Sequence, residues 1–305
     1  MADPRWGVAA TVKAPVDQVL AFAAHHLDLG AHRVWLHFDD PEDPAAVALT
    51  DRNRVTVIRC DDAYWQGLCG RRPPTHQLRQ MRNITRICKR AQMDWIAHLD
   101  VDEFLLAASP IPDILADLPP DRLVLRAEPF EALHTPGLPD DIFTARYFRR
   151  GLGDADPGRA ATLFGRFGRL LPKGMLSHTV GKCFFRTKVA GMIANIHGAK
   201  IDGERVFAGR FHPDLTLLHF HAEDPVRWQG NLHFRLSKGA YQFLPDMQAH
   251  LLAANEAEVA AFYDAVQRAA PATIAALRDM GLLREVDLGL RAKIARIWPD
   301  KPICG

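Results

Sequence analysis

The amino-acid sequence predicts an α/β fold, in which helices cover a mostly parallel β-sheet. Apolar runs of strand length alternate with segments of helical spacing over the first hundred residues, and several of these strands end in acidic residues. From about residue 247 the apolar residues recur at helical spacing, which predicts a C-terminal helical tail. With 305 residues and 48% hydrophobic content, the chain can bury one large core or two smaller ones.

The first hundred residues predict the order strand, helix, strand, strand, helix, strand. Pro15 suits the first turn of the first helix, and Gly30 provides its end. The predicted elements are strands at 7–12, 33–38 and 54–59, helices between Pro15 and Gly30 and at 78–91, and a fourth strand beginning at Met93. Further along the chain, strands are predicted at 123–126, 179–186, 191–197 and 215–221, and loops at 134–160.

The fourth strand carries the most informative residues. An apolar run that begins at Trp95 ends in Asp100, Asp102 and Glu103 and then returns to apolar residues. Carboxylates at the carboxyl end of a central strand lie where open α/β sheets bind ligands. Mg²⁺ and Mn²⁺ bind such oxygen ligands and share them with phosphates, so the segment indicates a metal-diphosphate site. An EF-hand loop is excluded, because its sixth position requires glycine and here holds Leu105.

Composition excludes several other classes of function. The net charge of +2 offers no global attraction for nucleic acid, and no apolar stretch reaches the length of about 18 residues that a transmembrane helix needs. The five cysteines are scattered, odd in number and without a CxxC pair, which favours reduced thiols. We therefore expect a cytoplasmic protein. An arginine-rich stretch between residues 146 and 169 allows peripheral contact with the inner membrane surface.

The acidic segment closely resembles the signature W-x-x-x-x-D-x-D-E-F-L of glycosyltransferase family 2-like proteins, in the branch related to glycosyltransferase family 92. Other similar fragments occur in the expected order across about residues 10–242. They are Phe22–Gly30 with its two histidines, Arg79-Gln80, Gly181-Lys182, Ile196-His197-Gly198, Leu218-His219-Phe220 and Lys238-Gly239. Two segments depart from the pattern: Ala14-Pro15 replaces the usual Asn-Glu, and an acidic, proline-containing loop follows the second strand.

The resemblance implies a GT-A fold, a divalent cation (Mn²⁺ or Mg²⁺) and a nucleotide-sugar donor, with a UDP-sugar as the first choice. It implies transfer to a saccharide or glycan acceptor with inversion at the anomeric carbon. The corresponding domains are a GT-A-like catalytic domain at 1–246, with a nucleotide-binding half at 1–106 and an acceptor half at 107–246, and a helical extension at 247–305. The extension also allows a homodimer through its helices.

The acids and histidines receive roles from this resemblance. Asp102 is predicted to coordinate the metal, and Asp100 to contact the ribose or a metal-bound water. Glu103 is either a ligand through water or a hydrogen-bonded acid of the turn. His197 is predicted to complete the metal shell, with a buried structural histidine as the alternative, and His219 is the second choice of ligand.

The remaining predicted site residues are assigned to binding of the donor and to activation of the acceptor. Asp39 and Asp62, at the ends of strands, are predicted to bind the base and the ribose. Lys182 is predicted to pair with a phosphate, and Gln80 to orient the acidic loop from its helix. The acceptor hydroxyl needs a carboxylate base. Glu131 is chosen from four acids that follow the next predicted strand: Glu128, Glu131, Asp140 and Asp141.

Two alternatives stay open at this stage. A catalytically inactive relative that binds a saccharide or nucleotide is favoured by the two departures from the family pattern. A phosphatase of the haloacid dehalogenase type also carries Asp-x-Asp after a strand. Its motif usually lies near the N-terminus, whereas three predicted strands precede Asp100 here.

Overall fold

The computed structural model describes residues 3–138 and 142–300, which form two compact units. The first unit comprises the described residues of 1–128, 181–217 and 289–305, and the second comprises those of 129–180 and 218–288. The chain therefore leaves the first unit and returns to it twice. These boundaries follow spatial contacts and differ in position from those of the predicted domains, which stay a prediction.

The strands and helices carry labels in chain order. The strands are β1 (Trp6–Val12), β2 (Arg33–Phe38), β3 (Val55–Arg59), β4 (Trp95–His98), β5 (Glu103–Ala107), β6 (Val124–Ala132), β7 (Tyr147–Arg150), β8 (Lys182–Arg186), β9 (Met192–Asn195), β10 (Gly198–Ile201), β11 (Glu204–Arg205), β12 (Phe211–His219) and β13 (Leu283–Glu285). The helices are α1 (Val16–Asp28), α2 (Pro44–Leu49), α3 (Asp62–Cys69), α4 (His76–Arg90), α5 (Ile111–Ala116), α6 (Pro157–Phe164), α7 (Pro225–Gly230), α8 (Leu232–Ser237), α9 (Pro245–Ala253), α10 (Glu256–Gln267), α11 (Pro271–Asp279) and α12 (Leu290–Ile297). Short 3₁₀ helices lie at Gly165–Leu170 and Ala240–Phe243.

The first unit is built on a sheet in the order β6-β8-β4-β1-β2-β3. The pairs β1–β2, β2–β3 and β1–β4 are parallel, and β8 joins β4 and β6 in antiparallel pairing. Helices α1 and α4 connect and cover the parallel strands, and α12 contacts α1. The predicted α/β class, with a parallel central sheet, flanking helices and a C-terminal helix, is confirmed.

Helix α4 has one apolar and one charged face. Thr75 caps its first turn by accepting a hydrogen bond from the backbone of Leu78, and Ile84, Ile87 and Cys88 are buried on its inner side. Fully burying such side chains contributes about 1.5–3 kcal/mol each. The helix is therefore held on the sheet by its second half, while its first half places polar side chains near the strand ends.

The second unit combines β7 with β13 and with the last residues of β6. Helices α6 to α11 surround an apolar core in which Trp228, Tyr241, Phe262 and Leu277 are nearly inaccessible to solvent. Helices α9 to α11 confirm the helical pattern predicted from about residue 247. The strand β13 inside that predicted tail was not predicted, since it spans only three residues.

Several short elements differ from the prediction. Residues 134–160 contain β7 and the start of α6, although Gly, Pro and Asp predicted loops there. Asp156 caps α6 and Pro157 occupies its first turn, so the Asp-Pro pair starts a helix. Helices α2, α3, α7 and α8 were likewise not predicted, because six to eight residues are too few to display a helical period.

Within residues 3–138 and 142–300, no helix has both the length and the apolar character needed to cross a membrane. Cys60, Cys69, Cys88 and Cys183 are free thiols.

Candidate functional site

The carboxyl ends of four parallel strands form one edge of the first unit's sheet. Val12 of β1 pairs with Phe38 of β2, which pairs with Arg59 of β3. On the other side of β1, Ala9 pairs with His98, the last residue of β4. The chain goes from β1 to β2 on one side and returns to the other side at β4, so the strand order reverses here. Open α/β sheets bind ligands at such a switch point.

The predicted acidic residues form a turn at this edge, between β4 and β5. The backbone N–H of Asp100 donates to Glu103 Oε2 at 2.8 Å, and the N–H of Glu103 donates to the carbonyl of Asp100 at 3.0 Å. Asp102 lies half-buried inside the turn. Glu103 is fully buried and begins β5, so the fourth predicted strand is in fact two strands separated by the turn.

Lys182, at the start of β8, places its ammonium group between two of these carboxylates. Its Nζ lies 2.5 Å from Asp100 Oδ2 and 3.2 Å from Glu103 Oε2, and only 1% of its side chain is exposed. Burial alone would lower the pKa of Lys182, but the charges of Asp100 and Glu103 outweigh burial and raise it. Burial likewise would raise the pKa of Asp100, and Lys182 reverses this shift and lowers it. Lys182 is therefore a fixed internal cation of the turn.

The backbone before Lys182 is constrained by glycine. Gly181 has φ +71°, and a Cβ at this position would collide with the carbonyl of Ala127. The carbonyl of Gly181 lies 2.8 Å from Nδ1 of His197, in the turn between β9 and β10. Thus the structure brings predicted residue His197 close to the strand that carries Lys182.

Asp39 follows β2 at the same edge and is paired with two arginines. Its Oδ1 lies 2.7 Å from Nε of Arg79 and 3.0 Å from a guanidinium nitrogen of Arg72. Arg72 also donates to the backbone carbonyl of Asp39, and Arg79 donates to the carbonyl of Pro73 at 3.0 Å. This second charged group therefore contains two guanidinium groups, which are suited to bind phosphate oxygens.

One helix connects the ends of three strands. From α4, Arg79 contacts Asp39 after β2, and Gln80 donates to Asp100 Oδ1 after β4 at 2.6 Å. One turn later, Asn83 donates to Thr11 Oγ1 of β1 at 3.0 Å. Asn83 in turn accepts a hydrogen bond from the hydroxyl of Tyr64, in α3, at 2.8 Å. Sequence reasoning singled out Arg79 and Gln80 through the resemblance but missed Asn83, although helical spacing places Asn83 on the same face. It also missed Arg72, which precedes the helix.

Two buried histidines lie on strands of this sheet. His37 of β2 and His98 of β4 are at most 1% exposed. Burial lowers the pKa of His37 to about 3, and burial together with Lys182 lowers that of His98 to about 4. Both imidazoles are therefore neutral near pH 7, so they add no positive charge to that of Lys182, Arg72 and Arg79 at this edge.

Asp62, which was predicted to bind the donor, lies in a helix and not at the end of a strand. It is exposed in the first turn of α3, and the preceding Asp61 caps that helix through the backbone N–H of Tyr64. The acids at 61 and 62 were predicted as the end of a strand, but β3 ends at Arg59. Asp140 and Asp141 lie outside the described residues.

Glu131 lies in the second unit and is fully buried. One of its oxygens lies 2.5 Å from a guanidinium nitrogen of Arg149 and accepts the N–H of Leu176 at 3.1 Å. The other accepts the N–H of Ser177 at 2.7 Å. Burial would raise the pKa of Glu131, but Arg149 and these amides lower it. A fully enclosed carboxylate with both oxygens engaged favours a structural role over the predicted role of acceptor base.

His219 also lies in the second unit, at the end of β12. Its ring stacks on that of His178 with centroids 5.3 Å apart and meets the ring of His221 at 5.1 Å. Ring nitrogens of His178 and His219 lie within 4.8 Å of one another, so this pair offers two metal ligands. Sequence reasoning missed His178, because a single histidine in a loop of a histidine-rich chain carries no spacing signal.

The acidic turn in the first unit has the chemistry of a site for a hard cation. The turn offers carboxylate oxygens at a strand end, and one third of the Asp100 side chain is exposed. Carboxylate oxygens are the ligands that Mg²⁺ and Mn²⁺ prefer. The residue types present therefore fit the ligands of a divalent cation, and Asp102 stays the predicted ligand. Lys182 and Gln80 hold the neighbouring carboxylate of Asp100.

No protein-family model and no curated protein matches the chain. Among solved structures, the chain is similar to a mycobacterial protein, with 11% identity over 68% of each chain and a TM-score of 0.32. It is similar to a CMP:2-keto-3-deoxy-manno-octonic acid synthetase complexed with CTP, with 16% identity over 42% of this chain and 53% of that chain, at a TM-score of 0.24. It is also similar to the mannosyltransferase Ktr4p from S. cerevisiae, with 8% identity over 43% of this chain and 40% of that chain, at a TM-score of 0.24. At TM-scores this low the likenesses support no inference about activity.

Proposed function

We propose that this protein is a glycosyltransferase, which moves a sugar from a nucleotide-sugar donor to an acceptor hydroxyl. The observation that carries the proposal is the turn of Asp100, Asp102 and Glu103 at the switch point of a parallel sheet. Departure of a diphosphate is the difficult step of sugar transfer, and cationic groups stabilise the negative charge that develops. The edge gathers acids for a cation and guanidinium groups for phosphate oxygens.

The residues divide into two sets within the first unit. Asp102 would hold a divalent cation, which would act as a Lewis acid toward the diphosphate. Lys182 and Gln80 fix the carboxylate of Asp100, which is assigned to the donor ribose or to a water on the cation. Arg72 and Arg79 hold Asp39 beside the same strand ends, where the nucleoside is proposed to lie. Inversion and the choice of a UDP-sugar belong to the proposal.

The experiment is calorimetric titration with UDP in the presence and absence of Mn²⁺, followed by assays of UDP-sugar consumption. We expect UDP binding that depends on the metal, and we expect Asp102→Asn to lower donor turnover by about two orders of magnitude. Asp113→Asn, an exposed acid in the first turn of α5, serves as the matched control. The proposal is wrong if no nucleotide diphosphate binds with metal present.

Two outcomes would identify the alternatives. Metal-dependent UDP binding without sugar consumption, with varied acceptors, would indicate the inactive relative. This alternative is favoured by Ala14-Pro15, which stands where the resembled family usually carries Asn-Glu, and by the altered loop after the second strand. Pro15 lies at the cap of α1. Hydrolysis of p-nitrophenyl phosphate that is lost in Asp100→Asn would indicate the phosphatase. In that reaction Asp100 would be the nucleophile, although both of its oxygens accept hydrogen bonds.

A further inference from the structure

Two adjacent histidines near the end of α1 bind the backbone of a single residue in β5. His25 and His26 are buried, and both contact Leu105. The Nε2 of His25 lies 2.7 Å from the carbonyl of Leu105, and the N–H of Leu105 donates to Nε2 of His26 at 3.3 Å. The pair thus satisfies both backbone polar groups of Leu105, as a neighbouring strand would do.

The hydrogen bonds fix a different tautomer for each ring. His25 donates through Nε2–H, so its Nδ1 accepts from the ammonium of Lys293, in α12, at 3.0 Å. His26 accepts at Nε2, so its Nδ1–H donates to the carbonyl of Phe22 at 2.8 Å. A proton added to either ring would place two N–H donors face to face. The arrangement therefore requires both imidazoles to be neutral.

The charged groups around the pair agree with neutral rings. Burial lowers the pKa of His25, and the neighbouring His26 and Lys293 lower it further. Burial lowers the pKa of His26 to about 3, although the carboxylate of Glu103 opposes this shift. Both rings stay neutral over the physiological range of pH, so the pair provides constant hydrogen bonds and is no pH switch.

Leu105 lies directly after the acidic turn. Glu103, two residues earlier, accepts the N–H of Asp100 and faces Lys182. The ring of Phe104, between them, lies 5.2 Å from that of His25 and 6.0 Å from that of His26, centroid to centroid. A displacement of Leu105 would therefore move Glu103 and open the turn.

We propose that His25 and His26 are positioning residues for the acidic turn, and that α12 holds them in place through Lys293. Residues near the C-terminal end of the chain thereby support the turn of Asp100 to Glu103. The effect on ligand binding rests on the proposed function, whereas the effect on the order of the turn does not.

The first test compares two substitutions in the same helix by hydrogen–deuterium exchange of the full chain. Lys293→Met removes the hydrogen bond to His25, whereas Arg296→Met removes an ion pair with Asp28 of α1 at 2.6 Å. We expect hydrogen exchange in the segment 99–107 to accelerate about tenfold in Lys293→Met. This factor corresponds to the loss of about one buried hydrogen bond. Arg296→Met should leave this segment unchanged.

The second test changes the ring itself. His26→Phe removes the acceptor for the N–H of Leu105, and His26→Gln restores an acceptor oxygen on a side chain of similar reach. We expect the affinity for UDP with Mn²⁺ to fall about tenfold in His26→Phe and to recover in part in His26→Gln. A merely structural role would lower the unfolding temperature without recovering metal-dependent binding.

Equal exchange of 99–107 in Lys293→Met, Arg296→Met and the unsubstituted protein would overturn the proposal, even if His26→Phe does not fold. Faster exchange in Lys293→Met alone would support it. If the unsubstituted protein binds no nucleotide, the proposed function fails while the exchange result still decides the role of the histidines.

Discussion

Each unit of the protein contains a carboxylate paired with a cationic side chain, and the two pairs differ in their surroundings. Asp100 and Lys182 lie 2.5 Å apart in the first unit, and Glu131 and Arg149 lie 2.5 Å apart in the second. The side chain of Asp100 is 33% exposed, whereas Glu131 and Arg149 are both inaccessible. The two pairs therefore share the same distance and differ in exposure and in their remaining hydrogen bonds.

The second pair is closed on all sides. Glu131 accepts two backbone N–H groups besides Arg149, and Arg149 also donates to the carbonyl of Val266 and stacks on Phe164. At the first pair, by contrast, Asp102 and Asp100 lie at a turn on the edge of a parallel sheet. We conclude that Glu131 stabilises the second unit, whereas the carboxylate of Asp100 in the acidic turn stays partly exposed to solvent.

The largest expected effect comes from breaking the closed pair. Arg149→Met leaves Glu131 as a buried charge without its cation, which should lower the free energy of unfolding by about 3–5 kcal/mol. Urea denaturation followed by circular dichroism measures this value. Arg166→Met is the matched control, because its ion pair with Glu258 is exposed and should contribute less than about 1 kcal/mol. Similar losses in the two variants would contradict the comparison.

The same pair should control stability in acid. The pKa of Glu131 is lower in the folded protein than its ordinary value of 4.5, so its contribution is present above that pH and is lost as pH falls through the folded value. Glu131→Gln should therefore flatten the decrease in unfolding free energy below about pH 4.5, as measured by urea titrations at a series of pH values. Between pH 7 and 9 the difference between the two proteins should stay constant. An equally steep acid decrease in both would refute the assignment.

Much of the fold was predictable because apolar residues in the first unit follow two regular patterns. They form short continuous runs in the strands and recur at helical spacing in the helices. Strands β1 to β4 and helices α1 and α4 lie close to their predicted positions, since each buries an apolar run or stripe. The elements that were missed are short, and their positions depend on contacts with distant residues. Strand β7, for example, pairs with β6 and β13 and carries Arg149 into a buried ion pair.

The site was predictable only where residues follow one another in sequence. The acidic turn could be located from its position after an apolar strand, whereas the cation that holds it comes from Lys182, about eighty residues later. From the sequence we predicted Lys182 as a phosphate ligand. A sequence does not reveal which acids surround an ammonium, and in the structure Lys182 is buried between Asp100 and Glu103. The choice of Glu131 as acceptor base has the same origin. Its partner Arg149 lies in a segment that was predicted as a loop, so no sequence pattern indicated their buried ion pair.

A smaller change in stability is expected at the open pair. Asp100→Asn keeps Lys182 paired with Glu103, but one amide oxygen replaces the two oxygens that accept from Gln80 and Lys182. One buried donor then loses its acceptor, so the free energy of unfolding should fall by about 1–3 kcal/mol. If the proposed function holds, binding of UDP with Mn²⁺ should weaken at least about tenfold, because the variant lacks the charge assigned to the neighbourhood of the cation. Titration and urea denaturation of one preparation measure both values. A large loss of stability with unchanged binding would reverse the roles of the two pairs.

The smallest expected effect separates the two arginines that hold Asp39. The side chain of Arg72 is 43% exposed and that of Arg79 is 14% exposed, so solvent screens the first ion pair more strongly. Arg72→Gln should lower the free energy of unfolding by less than about 0.5 kcal/mol, and Arg79→Gln by about 1 kcal/mol. If the guanidinium group of Arg72 contacts phosphate, its substitution should weaken nucleotide binding more than it weakens the fold. Calorimetric titrations with UDP and, separately, with uridine measure the loss of affinity for a ligand with and without the diphosphate. Equal losses for both ligands would place Arg72 outside the phosphate site.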